Sequence, residues 1–370
     1  MTIAESSRAA VIVRPGVPPE VRRYDIPPLV PGSVLLKTIS SEVCGTDVHL
    51  WHGRLAGVPY PLIPGHVSVG TISQMSGIVT DVEGNPLREG EVVTFLDVIG
   101  TCGACWYCLV GKASTRCPHR KVYGITLGAD EEFGLAGGWS EMIYLRPGTR
   151  LLKLPASVSP DLWMGGGCGL PTAMHAIELA QIRLGDRVLI QGSGPVGLSC
   201  AALALLSGAA WVGVIGAPRA RLLAAERFGV DLTLDIGNTT REARFSAIRD
   251  ATGSRGPDIV IEASGNPAAV VEGCELVRDA GRYVIVGQYT DNGDISLNPH
   301  LHINKKHLQI LGCWGSDYSH VYRSIETQAR FGSRMNWTEL ITRRYALNNV
   351  EAALRDVESG TVVKAVVLPE

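Results

Sequence analysis

Long hydrophobic runs are missing from this chain: no stretch of about 18 apolar residues passes without a helix-breaking Gly or Pro, so no membrane-spanning helix is expected. Residues 1–13 mix small, charged and apolar side chains without an apolar block, which argues against a signal peptide or anchor and makes the cytoplasm the expected compartment. Charge is sparse as well. Charged residues are 19% of the total and the formal net charge is −2, with no dense Lys/Arg run, so neither nucleic acid nor an anionic membrane surface is an expected partner. Aromatics are few, at 6%, and the nine cysteines are odd in number, which makes a poor disulfide framework for a secreted fold.

What is present is 370 residues, 45% of them hydrophobic, with 43 glycines. That length exceeds what one core comfortably organises, so two domains are expected. Short β-type runs at 10–13, 33–39, 69–72, 91–95 and 142–145 are separated by Pro and Gly turns, as in a β-rich barrel. Cys44-Gly45 and Pro64-Gly65-His66 fall in breaks between these runs. After Lys153-Leu154-Pro155 the texture changes, with a helix expected at 173–180. Strands at 187–191, 210–215, 258–262 and 282–286 then alternate with helices at 198–206, 220–228 and 267–277. Alternation of this kind implies a doubly wound parallel sheet. The closing run Lys364-Ala-Val-Val-Leu368 suits a strand of the first domain. The fold class is therefore α/β, with a β-rich domain over 1–170, a Rossmann domain over 171–310 and a return to the first domain over 311–370.

Two motifs carry chemistry on their own spacing. Cys102, Cys105, Cys108 and Cys117 form a Gly-containing loop, about 98–120, whose spacing matches a closed tetrahedral thiolate site and points to a structural zinc. Four thiolates could also hold an iron–sulfur cluster, but the accompanying spacings are missing. Gly192-Ser193-Gly194-Pro195-Val196-Gly197 lies between an expected strand and helix, the context in which G-x-G-x-x-G binds a dinucleotide. The next strand ends at Ile215-Gly216 with Arg219 close behind and no carboxylate to repel a 2′-phosphate. The cofactor is thus NAD or NADP, with a slight lean to NADP.

Taken together, Cys44-Gly-Thr-Asp, Pro64-Gly65-His66, the four-thiol loop, Gly167-Cys168-Gly-Leu-Pro-Thr172 and the glycine turn resemble the zinc-containing medium-chain alcohol dehydrogenases over nearly the whole chain. The resemblance implies a GroES-like catalytic domain, two zinc ions per chain, and transfer of hydride between an alcohol and NAD(P) to give a ketone or aldehyde. Cys44, His66 and Cys168 would hold the catalytic zinc, which polarises an alcohol oxygen. Thr46 is similar to the hydroxyl that takes the alcohol proton, His49 to the residue that passes it on, and Asp47 to the carboxylate that orients His66. Thr172 would lie near the nicotinamide, and Lys364 stands where the family places a base that reaches the pyrophosphate. Homo-oligomers, dimers or tetramers, are common among such enzymes.

Two departures stand out: Val67 follows His66 where the family carries glutamate, and the thiol loop has one residue more before Cys117 than is common. Retention of cysteine at 168 favours secondary or cyclic alcohols over the polyol or cyclitol substrates of relatives with a carboxylate there. A catalytically silent nucleotide-binding protein is the rival from another class, favoured only by Val67. Cys200, Cys274 and Cys313 lack companion ligands and read as ordinary thiols.

Overall fold

The structure, a computed structural model, describes residues 5–369; residues 1–4, the start of the segment read as carrying no leader, and residue 370 lie outside the described residues. The chain divides into two compact units, one of Met1–Gly167, Asp317–Gly332 and Trp337–Glu370, the other of Cys168–Ser316 and Ser333–Asn336.

The first unit is built around the strand Val34–Val43, in which Lys37 alone is exposed. A strand covered on both faces carries a near-continuous run of buried residues rather than an alternation. It pairs antiparallel with Ser68–Met75, Met142–Leu145 and Lys364–Leu368. Ile341–Ala346 lies parallel beyond Lys364–Leu368, and Val92–Phe95 and Leu151–Lys153 extend the other side, making a seven-stranded sheet. The C-terminal strand therefore packs beside residues 41–43, next to the segment that carries Cys44. One apolar cluster of this unit gathers Leu50, Trp51, Trp139, Leu354 and Val367, and another gathers Leu36, Ile72, Phe95 and Tyr123.

The second unit is a six-stranded sheet in the order Leu232–Asp235, Trp211–Gly216, Arg187–Gln191, Ile259–Glu262, Arg282–Ile285, Gln309–Gly312, every pair parallel. The chain order reverses at Arg187–Gln191, so the crevice beyond that strand's C-terminal end is the topological switch point where such sheets bind ligands. The helix Pro195–Leu206 follows directly and is apolar on nearly every face, as a helix buried against a sheet must be.

Elements that sequence periodicity did not announce are short or thinly apolar. Leu232–Asp235 and Gln309–Gly312 are four-residue edge strands with no fully buried residue. The helix Arg241–Ala251 buries only Arg244 and Ile248, and is started by Thr240, whose hydroxyl accepts the Ala243 N–H. Pro160–Gly166 forms a helix despite its glycines because Ser159 caps it and Pro160 presets its first turn.

Candidate active site

Cys44 ends one strand and starts one helix. The expected break at Cys44-Gly45 is the junction of Val34–Val43 with the helix Gly45–Trp51, which has Cys44 as its N-cap. Asp47 stands at the third helical position, where its Oδ2 accepts the Cys44 N–H at 2.8 Å. Val48, Leu50 and Trp51 are buried, which fixes the helix and leaves Thr46 and His49 half-buried, three residues apart and so on one face.

The structure brings the three expected catalytic ligands together: one donor atom each from Cys44, His66 and Cys168 lies within 4.8 Å of the others. Cys168 is the residue immediately after Gly167, at the point where the chain leaves the first unit. Cys44 Sγ faces His66 Nε2 at 4.0 Å, while Nδ1 of the same ring faces Asp47 Oδ1, also at 4.0 Å. Both Nδ1 and Oδ1 are buried without a hydrogen-bond partner among the described residues. Burial opposes a charged His66 ring, but the charge and hydrogen bond of Cys44 outweigh it and push its pKa up to about 10. Burial, followed by the Cys44 charge, also drives the Asp47 carboxyl well above the usual range. Two sulfurs, one imidazole and an outer carboxylate are the donor set that zinc takes, and they fit such an ion. His49 is held below the ordinary histidine pKa by burial and then by Arg54, so its ring is neutral near pH 7.

The four-thiol lobe is a second cluster of metal-ligating groups. Its sulfurs lie 3.5 Å (Cys105 to Cys108), 3.7 Å (Cys102 to Cys117) and 3.9 Å (Cys105 to Cys117) apart. Zinc–sulfur bonds of about 2.3 Å set tetrahedral sulfurs about 3.8 Å apart, so the cage has the dimensions of a zinc site. The Ala104 backbone N–H lowers the Cys102 thiol to about 6, whereas, against the Cys108 backbone N–H, burial and hydrogen bonds to its fellow thiols push Cys105 up to about 11. Cys117 is the only buried residue between Val98 and Val122, so apolar packing cannot hold this lobe and a metal can.

In the second unit the three glycines of the turn have distinct surroundings. Gly192 has φ +113°, and a Cβ there would meet the Ala263 carbonyl at 2.6 Å. At Gly197 a Cβ would collide with the carbonyl oxygen of Gly192, whereas at Gly194 it would meet nothing within 4 Å. Turn, close helix packing and an open approach to the helix start are the three requirements of a pyrophosphate site, with Pro195 and Val196 as the first helical residues. Gly216 packs against Ser193, leaving no room for a side chain. Arg219 is engaged by Glu226 through two nitrogens, at 2.6 and 3.2 Å. Thr172 donates its hydroxyl to the Cys168 carbonyl at 2.9 Å.

Lys364, expected near a pyrophosphate, has a fully buried side chain, 2.6 Å from Glu42 Oε1 and 3.1 Å from the Gly166 carbonyl. A buried ammonium needs a buried partner, and Glu42, which sequence reading passed over, supplies it.

A GroES-like β-rich unit and a Rossmann unit, with a two-thiol, one-imidazole cluster, define a dinucleotide-dependent oxidoreductase architecture. Residues 30–156 match the alcohol dehydrogenase GroES-like domain and residues 195–329 the zinc-binding dehydrogenase domain. A 5-exo-hydroxycamphor dehydrogenase of Pseudomonas putida is 30% identical over 98% of both chains, and an erythritol/L-threitol dehydrogenase of Mycolicibacterium smegmatis is 28% identical over 90% of both. An alcohol dehydrogenase of Thermotoga maritima superposes with a TM-score of 0.94 at 34% identity, covering 99% of this chain and 100% of that one. The chain belongs to the zinc-containing medium-chain alcohol dehydrogenases, enzymes that use zinc and a nicotinamide dinucleotide.

Proposed function

We propose that this chain interconverts a secondary or cyclic alcohol and its ketone, with Cys44, His66 and Cys168 holding a catalytic zinc and Cys102, Cys105, Cys108 and Cys117 a structural one. The observation that carries this reading is the convergence of the first three donors within 4.8 Å, backed by the buried Asp47. When bound, zinc acts as a Lewis acid toward an alcohol oxygen and the nicotinamide ring takes the hydride. The protein's part is to hold the donors, to receive the hydroxyl proton at Thr46 and to pass it to the neutral ring of His49, one helical turn away. The hydroxycamphor named for the Pseudomonas putida relative, a cyclic alcohol, supports this substrate class.

For the cofactor we keep the lean to NADP. It rests on the crowded Gly216, which offers no carboxylate, since the charge of Arg219 is already matched by Glu226. We place the protein in the cytoplasm; no helix among the described residues is long and apolar enough to cross a membrane. A homo-oligomer is supported by the edge strand Gln309–Gly312, whose unpaired backbone edge invites pairing with another chain. Initial rates with primary, secondary, cyclic and polyhydroxy alcohols, each with NAD and NADP, test the reading. Highest kcat/KM is expected for secondary or cyclic alcohols with NADP, and a polyol preference or strict NAD use contradicts it.

A further inference from the structure

Glu42 and Lys364 form an ion pair with both side chains at most 1% exposed. Buried pairs add little net stability over well-packed apolar side chains, because desolvating two charges offsets their attraction. The location of this one suggests a purpose. Glu42 lies two residues before Cys44 on the strand Val34–Val43. Its backbone N–H donates to the carbonyl of Val67, the neighbour of His66, at 3.0 Å. Its carboxylate binds Lys364, whose ammonium also donates to the carbonyl of Gly166, two residues before Cys168. Between them lies Gly167, at φ +48°, where a Cβ would fall 2.2 Å from both Glu42 Oε2 and Lys364 Nζ. One residue and its ion-pair partner therefore tie together the three segments that bear Cys44, His66 and Cys168.

We propose that Glu42 and Lys364 are positioning residues for this centre, clamping the Gly166-Gly167 turn against the Cys44 strand so that the Cys168 sulfur is held at ligand distance. The proposal rests on the zinc reading given above. It predicts that the pair governs how tightly the metal is kept rather than how stable the fold is.

The test measures release of zinc to a colorimetric chelator from the full-length holoprotein, where the four-thiol site serves as an internal control and Cys44→Ser identifies the phase belonging to the trio. In a Glu42→Leu/Lys364→Met double variant the melting temperature and the four-thiol phase are expected to match the native protein, while the trio phase quickens about tenfold, the lower range for loss of an outer-shell partner. Should the double variant fail to fold, Glu42→Gln keeps the shape and the acceptor oxygen; its trio phase is expected to quicken several-fold with the control phase unchanged. Native trio release in a folded variant overturns the proposal, as does a raised KM for the dinucleotide with native release, which would give Lys364 to the cofactor. A native chain that takes up metal only at the four-thiol site overturns the zinc reading as well, so the two failures are distinguishable.

Discussion

Asp47 uses its two oxygens differently. One caps the helix start through the Cys44 N–H, and the other faces the ring nitrogen of His66 that points away from Cys44. Asp47→Ala is therefore expected to weaken metal binding at the trio by about 10- to 100-fold while leaving the four-thiol metal in place, measured by competition with a chelator. Asp258, in the second unit, shows the opposite balance of burial and contacts. Burial raises its pKa, but the Arg187 N–H at 2.7 Å and Arg278 Nε at 2.6 Å outweigh that and hold it below the usual value. A carboxyl with a lowered folded-state pKa stabilises above its unfolded pKa of about 3.9, and that contribution is lost as pH falls through the folded value. Asp258→Asn should thus be less stable by about 1–2 kcal/mol near pH 7, with the deficit shrinking below pH 4 in denaturant titrations. Cys44, His66 and Cys168 could be picked out only through the resemblance of the motifs around them to a known family, since a lone cysteine in a turn otherwise reads as an inert thiol. Glu42 could not, since a lone glutamate at a strand end reads as solvated until the pairing with Val67 and Lys364 is known.

Within the glycine turn, two substitutions of the same size should behave in opposite ways. Gly197→Ala drives a methyl into the Gly192 carbonyl and is expected to cost about 1–3 kcal/mol of stability. Gly194 has φ −72° and open space at its Cβ, so Gly194→Ala should leave stability within about 0.5 kcal/mol. If the pyrophosphate lies there, dinucleotide affinity should nevertheless fall about tenfold, a loss of about 1.4 kcal/mol. Calorimetric melting and cofactor titration of the two variants separate these effects. The central parallel strands were legible at this scale because burial on both faces writes continuous apolar runs such as Val188-Leu189-Ile190 within Arg187–Gln191. The edge strands Leu232–Asp235 and Gln309–Gly312 were not, since half-buried residues at a sheet margin leave no such run.

Across the whole chain the two clusters of metal-ligating groups differ in setting: one lies at a strand–helix junction, the other in a lobe with almost no core. The return of Lys364–Leu368 to the first unit sets it against residues 41–43, next to Cys44, so the β-rich unit is completed only when this strand pairs with Val34–Val43. Cys102→Ser should accordingly lose the lobe's metal and admit proteolytic cuts between residues 99 and 121, with dinucleotide binding intact. The central claim is that a zinc held by Cys44, His66 and Cys168 carries alcohol oxidation. Its most direct test is zinc content and alcohol oxidation measured together on native protein and Cys44→Ser: two zinc ions per chain falling to one, with kcat/KM reduced by more than about 100-fold, beyond the cost of losing an outer-shell partner. Native turnover in a variant that retains only the four-thiol zinc would contradict it.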